Sequence, residues 1–358
     1  MPASDAAGAS GAAGGAGAAG VGGAGGSGGA AGGGTALNAK ARCRLPEGWP
    51  TLDSVLSMAE PLPDTGDVDH MVMTSRGLHW LGGVGKALYR LGADGSPMRV
   101  AMTDVGGFAQ LEASDSAVVW LWDSSVWALS LDVGAAPAEI GTDISLAGNP
   151  LLVDDTHVYY EPAFGTLGFT QIPLVGGAPK KMRTDIRDVV AVHDGYAYYK
   201  DPDSFTGDLL MRAALDGGAL EQVDDSVGFL YSPHILFDGN VMYVSTTKIS
   251  RVDLGNPNSA TGVLVLAPAP EQGLKNMLTS MVLDRDRLVY ADGNGTVGWV
   301  TTDGTQCANI LVDPDQGTEV VGPPIEIALD DAYLYLLVFS GPSATGSLHR
   351  IARSSVGL

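Results

Sequence analysis

Basic residues are scarce in this chain: 20 Lys and Arg stand against 41 Asp and Glu among 358 residues, a formal net charge of -21. Binding to phosphate-rich surfaces needs clustered Lys and Arg, so nucleic acid and anionic membranes are excluded as partners. Cysteine is scarcer still. Cys43 and Cys307 are too few to build a Cys-ligated zinc centre. The six histidines, His70, His79, His157, His193, His234 and His349, fall at no metal-ligand spacing from one another or from carboxylates. His79, His157 and His193 sit in repeated strand-and-turn segments, where a structural role is expected. No metal and no cofactor is expected, and no apolar run is long enough to cross a bilayer as a helix.

Two apparent motifs carry no chemistry. Gly25-Gly26-Ser27-Gly28-Gly29 has the spacing of a nucleophile elbow, and Gly15 to Gly20 that of a dinucleotide fingerprint. Both lie in a tract where 27 of the first 34 residues are Gly or Ala, without the strand and helix that give those motifs their geometry. Such a tract buries too little surface to offset the entropy of ordering it. Residues 1–44 are therefore expected to be a disordered tether, and residues 45–358 a single domain.

What the chain does contain is a repeat. An acidic or polar turn followed by an apolar strand recurs at 74, 114, 154, 193, 238, 284 and 330, at intervals of 40, 40, 39, 45, 46 and 46 residues. A second alternating segment follows each time, as in 87–95, 209–218 and 296–304, closed by a Gly-rich turn. A third strand comes next, and a short apolar strand such as 189–192 leads into the next unit. Four strands per unit and seven units result.

Runs such as 118–122 (VVWLW) and 333–339 (YLYLLVF) do not alternate. Strands apolar on both faces suit sheets packed between two neighbours, and a ring of such sheets is a propeller, not a two-layer sandwich. The expected fold is all-β, a seven-bladed propeller of four-stranded antiparallel blades. The seventh unit ends without room for an outer strand, and residues 51–59 are expected to supply it, with Pro61 and Pro63 marking the crossing into blade one. Tyr159, Tyr198, Tyr243 and Tyr335 share one column of the repeat and are expected to be buried.

Tyr198-Tyr199-Lys200-Asp201, Val289-Tyr290-Ala291-Asp292 and the segment 211–218 (MRAALDGG) resemble the elements of YWTD-type propellers of lipoprotein receptors and their bacterial relatives of unassigned function. The resemblance covers residues 68 to 356 and implies the fold. It departs in blade count, since the receptor domains have six, and only some tetrads keep the Asp. The Gly/Ala tract is similar to the spacers that follow the lipidated cysteine of bacterial surface lipoproteins. A cell-surface or extracellular location with a leader upstream is expected, the alternative being a low-complexity extension of a cytoplasmic protein. Cys43 and Cys307 can pair if the chain is exported; two unrelated free thiols are the other arrangement.

Asp104, Asp143, Asp185, Asp225 and Asp313 fall where outer strands end. Trp122, Phe164, Phe205 and Phe339 fall where second strands turn into third ones, and Phe229 and Tyr231 on a return connection. In a propeller these connections share one face, so an aromatic and acidic rim is a candidate surface for a protein, peptide or glycan ligand. The alternative is that the acids cap turns and the aromatics fold onto the blades. Acidic turns at Asp154, Asp238 and Asp330 mark the opposite face. The reading is a monomeric, non-catalytic binding or scaffold module with no catalytic residue assigned. The alternative is a lyase or hydrolase using face carboxylates, which should show facing acids or a His with shifted pKa in the central pocket.

Overall fold

The structure is a computed structural model that describes residues 60–62, 68–82, 87–102, 110–122, 124–142, 151–161, 168–201, 209–224, 234–245, 248–256, 262–266, 278–292, 297–311, 325–339 and 346–358. Among the described residues it is all-β apart from a 3-10 turn at Arg353–Ser355. Antiparallel four-stranded sheets follow one another along the chain: blade one at 68–102, two at 111–141, three at 152–183, four at 189–224, five at 234–266 and six at 278–311. Blade seven takes its three inner strands from 325–352 and its fourth from the opposite end of the domain, where Glu60–Pro61 pairs with Gly346–Ala352. A single Val68 to Gly346 bridge joins blades seven and one.

The closing contact lies at Glu60↔Arg350 and Pro61↔His349, so Pro61 belongs to the pairing and does not mark the crossover as expected. Proline is tolerated there because an outermost strand has a free edge. Residues 51–59 lie outside the described residues. Leu62 continues the closure by donating its N–H to the Leu348 carbonyl at 3.1 Å and is buried with Val68, Trp80, Tyr335 and Leu348.

The second strands are apolar on both faces because each is sandwiched between blades. All six residues of Ala117–Trp122 are buried, as are Leu334 to Val338. Tyr159, Tyr198, Tyr243 and Tyr335 are each about 1–2 % exposed, as their shared column requires. Third strands pair with fourth strands through a bulge at one repeated position in blades one to six, after Leu88, Val126, Phe169, Leu210, Ile249 and Val297. A bulge there bends the strand and sharpens its local twist. The turns between them use positive φ where only glycine is unstrained, as at Gly217 (+99°) and Gly218 (+149°).

Candidate functional site

Of the rim residues, Phe164, Phe205, Phe229, Tyr231, Asp104, Asp143, Asp225 and Asp313 lie outside the described residues, as does Cys43. Phe339 ends the second strand of blade seven, opposite Gly346. Trp122 corrects the expectation of an exposed anchor. It is the last residue of its strand, only 8 % exposed, packed among Leu81, Leu88 and Leu129 with its ring 6.3 Å from that of Trp127. A strand buried on both faces keeps even its terminal aromatic in the core. Asp185 is also committed internally. Its two oxygens accept from Nε and Nη2 of buried Arg183 at 2.8 and 2.6 Å, and Arg183 continues to the Ala214 and Gly218 carbonyls of the next blade. The Arg183 hydrogen bonds hold the Asp185 carboxyl below the usual carboxylate range. Cys307 is disulfide-bonded.

Asp154 and Asp330, two of the acids expected on the opposite face, cap turns. Asp154 Oδ1 accepts the N–H groups of Thr156 and His157, each at 2.7 Å, and Asp330 repeats this with Ala332 and Tyr333. These are local turn bonds of the kind Asp favours.

The innermost strands build a different site, which sequence reasoning missed. An innermost strand has one neighbour in its own sheet, so every second N–H along its inner edge lacks a ladder partner. Here a side chain from the preceding blade fills that role at one repeated position. Gln110 of blade two accepts the N–H of Leu151 in blade three (2.6 Å), Ser280 of blade six that of Ile327 in blade seven (3.2 Å), and Glu326 of blade seven that of Met71 in blade one (3.2 Å). His70 occupies the same position in blade one, since His70 faces Leu81 as Glu326 faces Leu337.

At the seam between the last and first blades this ring becomes ionic. His70 Nδ1 lies 3.2 Å from Glu326 Oε1, with both side chains part-exposed. Glu112, in the innermost strand of blade two and two register positions further along, adds a second carboxylate. Burial lowers His70, but the hydrogen bond and charge of Glu326, with the charges of Asp69 and Glu112, outweigh it and raise the imidazole above its ordinary value. Burial pushes the Glu112 carboxyl up to about 7; His70 opposes the shift and Glu326 adds to it. Three adjacent blades therefore present one imidazole and two carboxyl groups, one of which exchanges its proton near neutrality. The sequence signal was present: His70, Glu112 and Glu326 are ionisable residues set among apolar ones in the innermost strands. Among the described residues no group of His, Cys, Asp and Glu has the geometry of a metal site.

No protein-family model matches the chain, and no curated protein matches its sequence. Solved structures do match, and they define a β-propeller. Oligogalacturonate lyase from Vibrio parahaemolyticus superposes with a TM-score of 0.55 at 10 % identity, covering 82 % of this chain and 93 % of that one. YCF48 bound to a D1 peptide superposes with a TM-score of 0.51 at 13 % identity over 82 % of this chain and 96 % of that one. An oligogalacturonate lyase in complex with manganese gives 0.51 at 12 % identity, over 78 % and 86 % of the two chains. At such identities the likeness is one of fold, a fold that serves an enzyme in one case and peptide binding in another.

Proposed function

We propose that this is a ligand-binding propeller acting at the cell surface or outside the cell, and that a basic segment of a protein or peptide meets the carboxylates of the innermost strands. The observation that carries this reading is the convergence of Glu112, Glu326 and Asp69 on the single imidazole of His70. A cationic group entering there would share Glu326 with His70 and favour the ionised form of Glu112, which releases its proton to solvent. A net charge of -21 steers such a partner towards the domain. YCF48 with its peptide is a precedent for this fold holding a peptide. A disulfide at Cys307 supports an oxidising compartment. Kinship with YWTD-type propellers is part of the same reading and rests on the two tetrads at 198–201 and 289–292.

The test is binding of fluorescent Lys-rich and Glu-rich peptides of equal length. Lys-rich peptides should bind, with affinity reduced about tenfold by Glu326→Gln and again by Glu112→Gln, the scale of one lost charge-assisted contact. Charge-blind binding, or none, would sink the reading.

A second reading is favoured by the same cluster, since the facing carboxyls of Glu112 and Glu326 and the raised His70 are what a propeller enzyme should show, and the Glu112 carboxyl lies near 7, where general acid–base catalysis is most effective. The substrate of the lyase neighbours supplies its probe. If oligogalacturonate incubated with the protein yields an unsaturated product, and Glu112→Gln abolishes that product, the domain is an enzyme.

A further inference from the structure

The third strands carry a recurrent arginine, and in two blades it has a fixed carboxylate partner on the fourth strand. Arg212 of blade four faces Glu221 and donates to it at 2.8 Å; Arg350 of blade seven faces Glu60 and donates at 3.0 Å. Arg90 is the same residue in blade one, but the position opposite it is Met98. Among the described residues Arg90 has no carboxylate partner, in a chain with twice as many acids as bases.

Arg90 opens into a pocket of about 370 Å³ between blades one and two, lined also by Arg76, Arg99, His79, Met98 and Val133. Arg76 uses its Nε to hold the Leu131 carbonyl at 2.8 Å, which leaves its terminal N–H groups for the pocket. Asp132 also lines the pocket, and its carboxylate accepts from Ser130 at 3.0 Å. His79, only 1 % exposed, takes the place of the column tyrosine in this blade. Its Nδ1 is 3.1 Å from the Gly77 carbonyl, which can only accept, so the proton sits on Nδ1. Burial, with Arg90 opposite, lowers the imidazole to about 4. Nε2 is therefore a bare acceptor at neutral pH, and it is buried without a partner. Met98 and Val133 are two of the four large apolar side chains that the described surface exposes, at 47 % and 86 %.

We infer that this pocket binds an organic carboxylate that carries an apolar arm and an N–H or O–H donor beside the acid. Arg90 and Arg76 take the carboxylate, His79 Nε2 accepts from the donor, and Met98 and Val133 cover the arm. A buried acceptor left unmet costs stability, which a ligand donor recovers, and paired guanidinium groups suit the planar oxyanion. The chemistry is shared by the C-terminus of a peptide and by a free N-acyl amino acid or hydroxy acid. It is independent of the cationic ligand proposed for the innermost strands.

The test uses the whole chain and calorimetric titration with N-acetyl-leucine, N-acetyl-leucinamide, acetate and a peptide ending in leucine. N-acetyl-leucine should bind, the amide and acetate should bind at least about tenfold more weakly, and Arg90→Gln and surface Arg76→Gln should each weaken binding by a similar factor. A peptide that binds more tightly than N-acetyl-leucine identifies a C-terminus as the source; equal or weaker binding identifies a small acid. Equal binding of acid and amide, equal binding of acetate, unchanged affinity in both variants, or no binding would each overturn the proposal.

Discussion

The hydroxyl of Tyr335 donates a 2.7 Å hydrogen bond to Oδ2 of Asp330, five residues upstream, while Oδ1 of the same carboxylate caps the turn between them. Tyr159 and Asp154 repeat the arrangement at the same distance in blade three. One carboxylate thus fixes the turn between first and second strands and satisfies the only polar atom of a tyrosine that is otherwise in the core. The same column solves its hydroxyl differently in blade four, where the partner of Tyr198 is Arg212.

Removing this bond is expected to have a pH signature. Burial raises Asp154, but hydrogen bonds from Tyr159, Thr156 and His157 outweigh it, and the folded carboxyl lies below its ordinary value. A depressed carboxyl stabilises above the unfolded pKa and loses that contribution as pH falls through the folded one. Tyr159→Phe should therefore cost about 1–2 kcal/mol near neutrality, with the deficit shrinking in acid. Urea unfolding at a series of pH values checks it, and a deficit independent of pH contradicts it.

Tyr198→Ala should cost about 3–5 kcal/mol, the usual figure for deleting a buried aromatic. Its ring lies 5.2 Å from that of Phe237 in the next blade, so the loss is felt across a blade interface. A cost below about 1 kcal/mol in chemical denaturation would mean that the blades repack around the hole.

Ring closure should depend on the apolar residue and not on the ion pair beside it. Leu62 is buried, whereas the Glu60 side chain that pairs with Arg350 is 70 % exposed. Leu62→Ala should lower stability by about 2–5 kcal/mol and Glu60→Ala by less than about 1 kcal/mol. Deleting residues 1–40 should leave the melting temperature unchanged, and deleting 1–62 should lower it sharply. Equal melting of the two truncations would show that the strand at Glu60–Pro61 does not hold the ring.

Glu112 should destabilise the folded state in alkali. Its folded carboxyl is raised to about 7, so ionising it costs more when folded, and stability falls as pH climbs from the ordinary carboxylate range through about 7. Glu112→Gln should stabilise by about 1–3 kcal/mol near pH 8, and the gain should vanish near pH 4, where both states are protonated. Equal stability of the two proteins across that range would place the charge in open solvent.

The blades were legible in the sequence because their causes are local. Turn acids, glycines at positive φ and strands apolar on both faces recur within each unit of about 40 residues, and the tyrosine column follows from register alone. The rim was less legible. Trp122 and Asp185 have the residue types of a binding surface, but type does not reveal that the strand end of Trp122 is covered by blade one or that Arg183 already holds both oxygens of Asp185.

The repeat, its register and its buried columns were determined by the sequence itself, since strand alternation and turn chemistry act over a few residues. Only the tertiary structure decided which charges meet. His70 and Glu326 are 256 positions apart and become neighbours because the last blade closes on the first. Arg90 differs from Arg212 and Arg350 through the residue across the sheet from it. Electrostatic partners are set by distance in space and by the water excluded between blades, and neither is written in local periodicity.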